Sequence, residues 1–193
     1  MTEVPIKSSN ANLFIISSVA GGGKSTLIGK LLTEFPFLKF SISSTTRKPR
    51  KGDIPGISYN FLSVEEFEKG ISNNQFLEWA KVHGNYYGTP RNYIESAIRN
   101  NQNIILDIDV QGARLVKEQL PNSKSIFILP PSEEIWIQRL IGRGSDDEES
   151  IQRRIENGRK ELLEKDQFDY QIVNDDLETA LQELISIIRP NIA

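Results

Sequence analysis

A lysine and two hydroxyls follow a run of glycines near the start of the chain: Ala20-Gly21-Gly22-Gly23-Lys24-Ser25-Thr26. Glycines allow successive backbone N–H groups to turn inward around phosphate oxygens, and the first turn of a following helix adds partial positive charge. In such a P-loop, Lys24 would reach the β- and γ-phosphates and the Ser25 hydroxyl would hold Mg²⁺. The usual pattern also places a glycine six residues before the lysine, where this chain has Ser18. If Ser18 had to adopt a left-handed conformation, the strain would be about 1–2 kcal/mol. A serine that adjusts the loop would cost little. The candidate triphosphate-binding residues are therefore Ser18, Val19, Ala20, Gly21, Gly22, Gly23, Lys24, Ser25 and Thr26.

Two further clusters could serve the same chemistry. Asp107 and Asp109 lie two apart at the end of the apolar run that starts at Ile104. On a strand they would share a face at its C-terminal end, where open α/β sheets form their ligand crevice. Asp107 is then a partner for Mg²⁺, direct or one layer out; a helix N-cap would explain one of these aspartates but not both. Arg47-Lys48-Pro49-Arg50-Lys51 packs four cations into five residues. A solvated loop or a nucleic-acid patch are the alternatives, and a net charge of −3 weighs against nucleic acid. Arginines on either side of a proline suit bidentate phosphate capture. A second phosphate site beside a P-loop suggests a phosphoryl acceptor. Glu78, with Ser, Thr and Tyr hydroxyls from the same stretch, suits a purine with polar edges. Trp79 and Tyr86 read as core, and His83 as a surface or loop histidine.

The elements that would position these groups follow from periodicity. Leu13–Ile16 is a short apolar run, as in a strand buried on both faces, and Leu27, Ile28, Leu31, Leu32 and Phe35 form one face of a helix. Similar runs recur at 104–106, 125–129 and 170–173. Leu177, Ala180, Leu181, Leu184, Ile185 and Ile188 form a closing helical stripe, with Asp175 and Glu178 at capping-box spacing. Alternating buried strands and helices imply a parallel sheet covered on both faces. Residues 40–90 differ. Phe40–Ser43 and Ile57–Phe61 alternate as half-exposed strands do, Ser63 and Glu66 form a capping box, and Gly84-Asn85 is a turn between two strands. Thr89-Pro90 fits the start of a helix. The arginine-rich stretch 132–165 reads as a mobile helical hairpin rather than core.

Composition bounds the rest. The chain has 193 residues, no cysteine and one histidine. Disulfides, thiolate metal sites and multi-histidine metal sites are excluded within it. No apolar run reaches transmembrane length and no targeting segment is evident, which sets the expectation of a cytoplasmic protein with no membrane partner.

Taken together the motifs resemble one family. Phe40–Arg50, Phe76-Leu-Glu-Trp-Ala80, Gly84-Asn-Tyr-Tyr-Gly88, Ile105–Gly112, Pro130-Pro-Ser132, Arg139-Leu-Ile-Gly-Arg-Gly144 and Ile172-Val-Asn-Asp-Asp176 are similar, in order and spacing, to the blocks of guanylate kinases. The resemblance implies a P-loop α/β fold: a parallel sheet flanked by helices, with an inserted mixed α+β nucleoside-monophosphate lobe and a helical lid. Residues 1–12 are polar and read as a flexible terminus; the resemblance implies a core of 13–39, 90–131 and 166–193, a GMP-binding lobe at 40–89 and a lid at 132–165. It implies Mg²⁺-dependent phosphoryl transfer from ATP to GMP or dGMP by a monomer or homodimer. By resemblance, Arg47, Arg50, Tyr59 and Tyr87 hold the GMP phosphate, and Glu78, Ser43 and Thr89 read guanine, with Asp109 near the nucleoside. Arg139, Arg143 and Arg154 clamp the ATP phosphates, and Asn174 borders adenine. Lys24, Arg47 and the three lid arginines would be catalytic, and Ser25 and Asp107 would attend the metal. Asp53 stands where the family more often has glutamate. A ribose bisphosphate kinase and a non-catalytic guanylate-kinase-like interaction domain are the competing readings.

Overall fold

The computed structural model describes residues 12–50, 52–82, 84–142 and 148–192. β1 (Leu13–Ser18) is buried along its whole length. Its side chains alternate between two apolar layers. Phe14 and Ile16 pack with α1 (Lys24–Glu34) and α7 (Leu177–Ile188) on one face. Leu13 and Ile15 pack with α3 (Arg91–Arg99) and α4 (Val110–Gln119) on the other. A strand covered on both faces must be apolar throughout, and Phe14, Ile15 and Ile16 have no exposed surface. Each such side chain contributes about 1.5–3 kcal/mol by leaving water.

β1 lies between β7 (Ile104–Asp107) and β8 (Lys124–Leu129), with β2 (Lys39–Ser41) and β9 (Tyr170–Val173) at the edges of a five-stranded, all-parallel sheet. The chain leaves β1 and returns two places away at β2, so a topological switch point opens beside the C-terminal end of β1. The expected doubly covered parallel sheet is observed. Phe40 and Ser41 differ from expectation: they complete the parallel sheet, with Phe40 opposite Ile105, rather than opening the lobe. At the far end, α7 is capped by Asp176, whose carboxylate accepts the Thr179 N–H and hydroxyl, each at 2.8 Å. The capping box expected from Asp175 and Glu178 is displaced by one residue, because Thr179 gives Asp176 two donors.

The second sheet has four strands in the order β4 (Asn60–Phe61), β3 (Ser44–Thr45), β6 (Asn85–Pro90), β5 (Phe76–Val82). β5 and β6 form the expected hairpin around Gly84. α2 (Val64–Ser72) starts with the reciprocal Ser63–Glu66 capping box. Its Phe67 stacks between Phe76 and Tyr86 at 4.3 and 5.1 Å. Only Asn60 and Phe61 of the expected 57–61 strand are extended, because Ile57 and Ser58 turn back onto the Ile54 carbonyl. Trp79, expected in the core, is 41% exposed and meets Tyr86 edge-on. Thr89 stays in β6 and Pro90 takes the N-cap of α3. His83 lies outside the described residues.

α5 (Glu133–Ile141) and α6 (Glu148–Leu163) form the expected helical hairpin, tied by Arg159 to Glu133 at 2.6 Å. It is more deeply packed than its charge suggests. Trp136, Leu140 and Ile155 join Val19 and Phe127 in a third buried cluster. Gly158 makes this docking possible: a Cβ there would lie 2.3 Å from the Trp136 ring. Glycine to alanine within a helix ordinarily stabilises by up to about 1 kcal/mol. Here the clash is expected to dominate, and Gly158→Ala should lose about 1–3 kcal/mol in urea unfolding. A variant as stable as the parent would contradict this packing.

Candidate functional site

The loop between β1 and α1 turns on two left-handed glycines, Gly21 (φ +94°) and Gly23 (φ +90°). Gly23 is the N-cap of α1 and supplies no capping side chain. Ser18 stays in the extended strand, so the strain that a left-handed serine would carry does not arise. Its hydroxyl donates to the Ile128 carbonyl at 2.7 Å and fills the space above Gly22, where any Cβ would meet it at 2.0 Å. Loop carbonyls are held from outside. Trp136 Nε1–H donates to Ala20 at 2.8 Å, and the Asn174 side-chain amide donates to Gly22 at 3.0 Å. Arg139 donates in turn to the Asn174 carbonyl at 3.1 Å.

Lys24 pairs with Asp107, the last residue of β7, and its ammonium also reaches the Ile108 carbonyl at 3.4 Å. β1 and β7 place Ile16 opposite Asp107, which brings this carboxylate beside the loop. Ser25 and Thr26 open α1 on its exposed side. Among the described residues no three carboxylate or histidine groups cluster as a metal site. The donor set of Ser25 and Asp107 fits Mg²⁺ nonetheless, because this ion takes hard oxygens and commonly only one or two from protein, with phosphates and water supplying the rest.

The second sheet gathers the expected acceptor residues. The Arg47 guanidinium lies 5.2 Å from the centre of the Tyr59 ring, and Tyr59 meets Tyr87 edge-on at 5.9 Å. Burial, reinforced by the charge of Asp107, pushes the Tyr59 hydroxyl up to about 12. The acceptor-side tyrosine therefore lies within the field of the carboxylate that pairs with Lys24. Arg50 is exposed on the same segment. Ser43 is buried, and its carbonyl accepts the Asn60 N–H at 2.9 Å.

Glu78 is 6% exposed on β5, and the hydroxyl of Thr89, on β6 opposite it, donates to it at 2.5 Å. Burial raises its pKa to about 7; the Thr89 hydrogen bond opposes the shift and the Asp109 charge adds to it. Its other oxygen faces Gly112, where a Cβ would lie 2.8 Å away. Asp109 is not on the strand with Asp107, as spacing suggested. It is the N-cap of α4 and accepts the Gly112 N–H at 2.8 Å. The strand ends at Asp107 because the chain must turn into α4, yet the cap keeps Asp109 close enough to Glu78 to raise it.

Arg139 and Arg154 lie on α5 and α6; Arg143 lies outside the described residues. Sequence reasoning missed Trp136, Glu161 and the bracing contact of Asn174, which it expected only to border adenine. Trp136 and the side-chain amide of Asn174 brace the loop, and nothing local in sequence pairs them with Ala20 and Gly22. Glu161 is raised to about 7 by burial and by Asp109, with Lys24 opposing. Its spacing of seven from Arg154, two helical turns, places both on one face of α6 and was a legible signal.

A Gly-rich loop between a buried strand and a helix, at the switch point of a parallel sheet and with its lysine facing a strand-end aspartate, defines a P-loop nucleotide-binding protein. A sequence model described as guanylate kinase matches residues 10–191. The guanylate kinase of Helicobacter pylori is 46% identical over 178 residues, covering 92% of this chain and 86% of its own. That of Synechocystis is 47% identical over 176 residues, covering 91% and 92%. The crystal structure of guanylate kinase from Anaplasma phagocytophilum superposes with a TM-score of 0.79 at 33% identity, covering 95% of this chain and 87% of that one. The chain belongs to the guanylate kinase family.

Glu78 leaves a signature in stability. Its folded pKa of about 7 exceeds the ordinary 4.5, so its contribution is fullest below about pH 4.5 and is lost as pH rises through about 7. Glu161 acts in the same direction. Urea unfolding of the unliganded protein from about pH 5 to 7 should show a downward slope that is shallower in Glu78→Gln. Identical slopes would contradict a buried, raised carboxyl.

Proposed function

We propose that the chain transfers the γ-phosphoryl group of Mg·ATP to GMP or dGMP, giving ADP and the guanosine diphosphate. One observation carries the guanine assignment: a buried carboxylate, Glu78, in the lobe whose Tyr59 senses Asp107 at the P-loop. Guanine offers N1–H and a 2-amino group to such an acceptor. Adenine offers neither, and leaving the carboxylate unpaired would cost about 1–3 kcal/mol or more. A sugar-phosphate acceptor has no use for Glu78, which disfavours the ribose bisphosphate reading. An intact Lys24, Ser25 and Asp107 disfavours a non-catalytic domain.

In this reading residues 13–41, 90–131 and 166–193 form the core, 42–89 the acceptor lobe and 132–165 the lid, with the first boundary moved because Phe40 and Ser41 pair in the core sheet. Loop amides and Lys24 hold the β- and γ-phosphates. Arg47, Arg50, Tyr59 and Tyr87 hold the acceptor phosphate; Ser43, Thr89, Glu78 and Asp109 surround the guanosine. Arg139, Arg143 and Arg154 supply charge over the transferring group, and Asn174 borders adenine while bracing the loop. Ser25 and Asp107 would hold Mg²⁺, which neutralises phosphate charge when bound. Little covalent participation is required of the protein; alignment and charge neutralisation lower the barrier. Closure of the α5–α6 hairpin would exclude water that competes for the phosphoryl group. The protein would act in the cytoplasm on free nucleotides, as a monomer or homodimer.

A coupled ADP-release assay with GMP, AMP, CMP and UMP tests the assignment. GMP should be turned over fastest, and faster turnover of another monophosphate would overturn it. Lys24→Ala should lower kcat by about a hundredfold or more with an unchanged circular dichroism spectrum. Near-parental kcat would remove Lys24 from its role.

A further inference from the structure

β5 carries one residue more than its partner strand just before Glu78. Phe76 lies opposite Pro90 and Glu78 opposite Thr89, so two steps along β5 match one along β6 and Leu77 is the bulged residue. In a regular strand Phe76 and Glu78 would share a face. Here three successive side chains are buried in three different places. Phe76 stacks on Phe67 inside the lobe, Leu77 joins Ile94 and Leu106 in the core layer, and Glu78 takes the Thr89 hydroxyl. The Leu77 carbonyl accepts the Gln119 side-chain amide at 2.7 Å, a bond from the last residue of α4 to a strand of the other sheet. The Gln119 oxygen faces Arg91 Nη2 at 3.5 Å. Arg91 in turn donates to the carbonyl and side-chain oxygen of Asn74, at 3.2 and 3.3 Å, on the turn before β5. With its oxygen turned to a cation, the Gln119 amide presents its NH₂ group to Leu77. Gly112, which faces a Glu78 oxygen, precedes Gln119 by two helical turns. One face of α4 therefore meets β5 both at Glu78 and at the carbonyl before it.

We propose that Gln119 is a positioning residue for recognition of the acceptor base: it pins the Leu77 bulge and so fixes the direction in which Glu78 leaves β5. This rests on the guanine-reading role of Glu78 proposed above. A bulge re-aims the side chains beside it, and its extra residue disrupts the ladder that holds a regular strand. The peptide unit joining Leu77 to Glu78 is then free to tilt unless a group outside the hairpin holds it. Gln119 takes that peptide by its carbonyl, from a helix whose other end already touches Glu78 at Gly112. A carboxylate meets guanine N1–H and the 2-amino group together in one orientation only. A tilt of this peptide would therefore weaken the base contact first, since small misplacements cost far more than lost area. The donor-nucleotide residues stand on other elements, the β1–α1 loop and α5, so the effect is confined to the acceptor.

Steady-state kinetics of Gln119→Met, alone and combined with Glu78→Ala, test this, with GMP and ATP varied separately and thermal unfolding in parallel. Methionine keeps the length of the side chain and loses the N–H. Gln119→Met should raise KM for GMP about fivefold, with KM for ATP and kcat within about twofold and Tm lowered by no more than about 4 °C. In the Glu78→Ala background no carboxylate is left to aim, and the same substitution should change kcat/KM for GMP by less than about twofold. Gln119→Glu keeps the acceptor for Arg91 but loses the donor to Leu77, so it should match methionine; it also gives the same reading if the methionine variant does not fold. An unchanged KM for GMP, an equal loss for ATP, or a fivefold effect that persists without Glu78 would each overturn the proposal. Absence of GMP turnover in the parent protein would instead overturn the proposed function, which keeps the two failures distinct.

Discussion

For the amides of residues 18–24 to face phosphate, the carbonyls of that loop must find donors in the protein. Everything around the loop answers this constraint. The Ala20 carbonyl is taken by the Trp136 indole and the Gly22 carbonyl by the Asn174 amide, while Ser18 ties the end of β1 to Ile128. These partners come from α5, from the segment after β9 and from β8, three parts of the chain that meet only because the sheet is parallel and ordered with β1 at its centre. The close approach of Asn174 leaves no room for a Cβ at Gly23, so the glycine serves packing as well as backbone direction.

The same architecture sets charge against charge. Asp107 pairs with Lys24 and lies within electrostatic reach of Tyr59, while Asp109 acts on both Glu78 and Glu161. Core, second sheet and helical hairpin thus share one electrostatic field around the strand ends. Two phosphate-bearing ligands repel each other in water, and in the proposed function Lys24, Arg47 and Arg139 offset that repulsion where alignment is needed.

Much of this was legible in the residues alone. Apolar runs and helical stripes gave β1, β7, β8, β9, α1 and α7, since strands buried on both faces cannot disguise their composition. The glycines and Lys24 located the loop, and Glu78 stands buried on β5, as the expectation of a purine reader requires. What could not be read depended on partners far away in sequence. Phe40 looked like a lobe strand because three residues cannot reveal which sheet completes them. Asp109 looked like a strand residue because a cap and a strand end share composition. The docking of Trp136 on Gly158 was hidden inside a charged helix, and Ser18 could be judged only once its backbone was seen to be extended. Asp53 drew notice only as a departure from family habit; its carboxylate lies 2.9 Å from an Arg47 nitrogen and accepts the Arg50 N–H at 2.7 Å.

The central claim is that one crevice holds donor and acceptor nucleotides together and in line. Calorimetric titration with adenosine and guanosine joined through five phosphates addresses it directly. A ligand that fills both sites at once gains effective concentration without any new contact, so it should bind at one per chain and about a hundredfold or more tighter than ATP or GMP alone. Affinity no greater than that of ATP, or two copies bound per chain, would contradict the account.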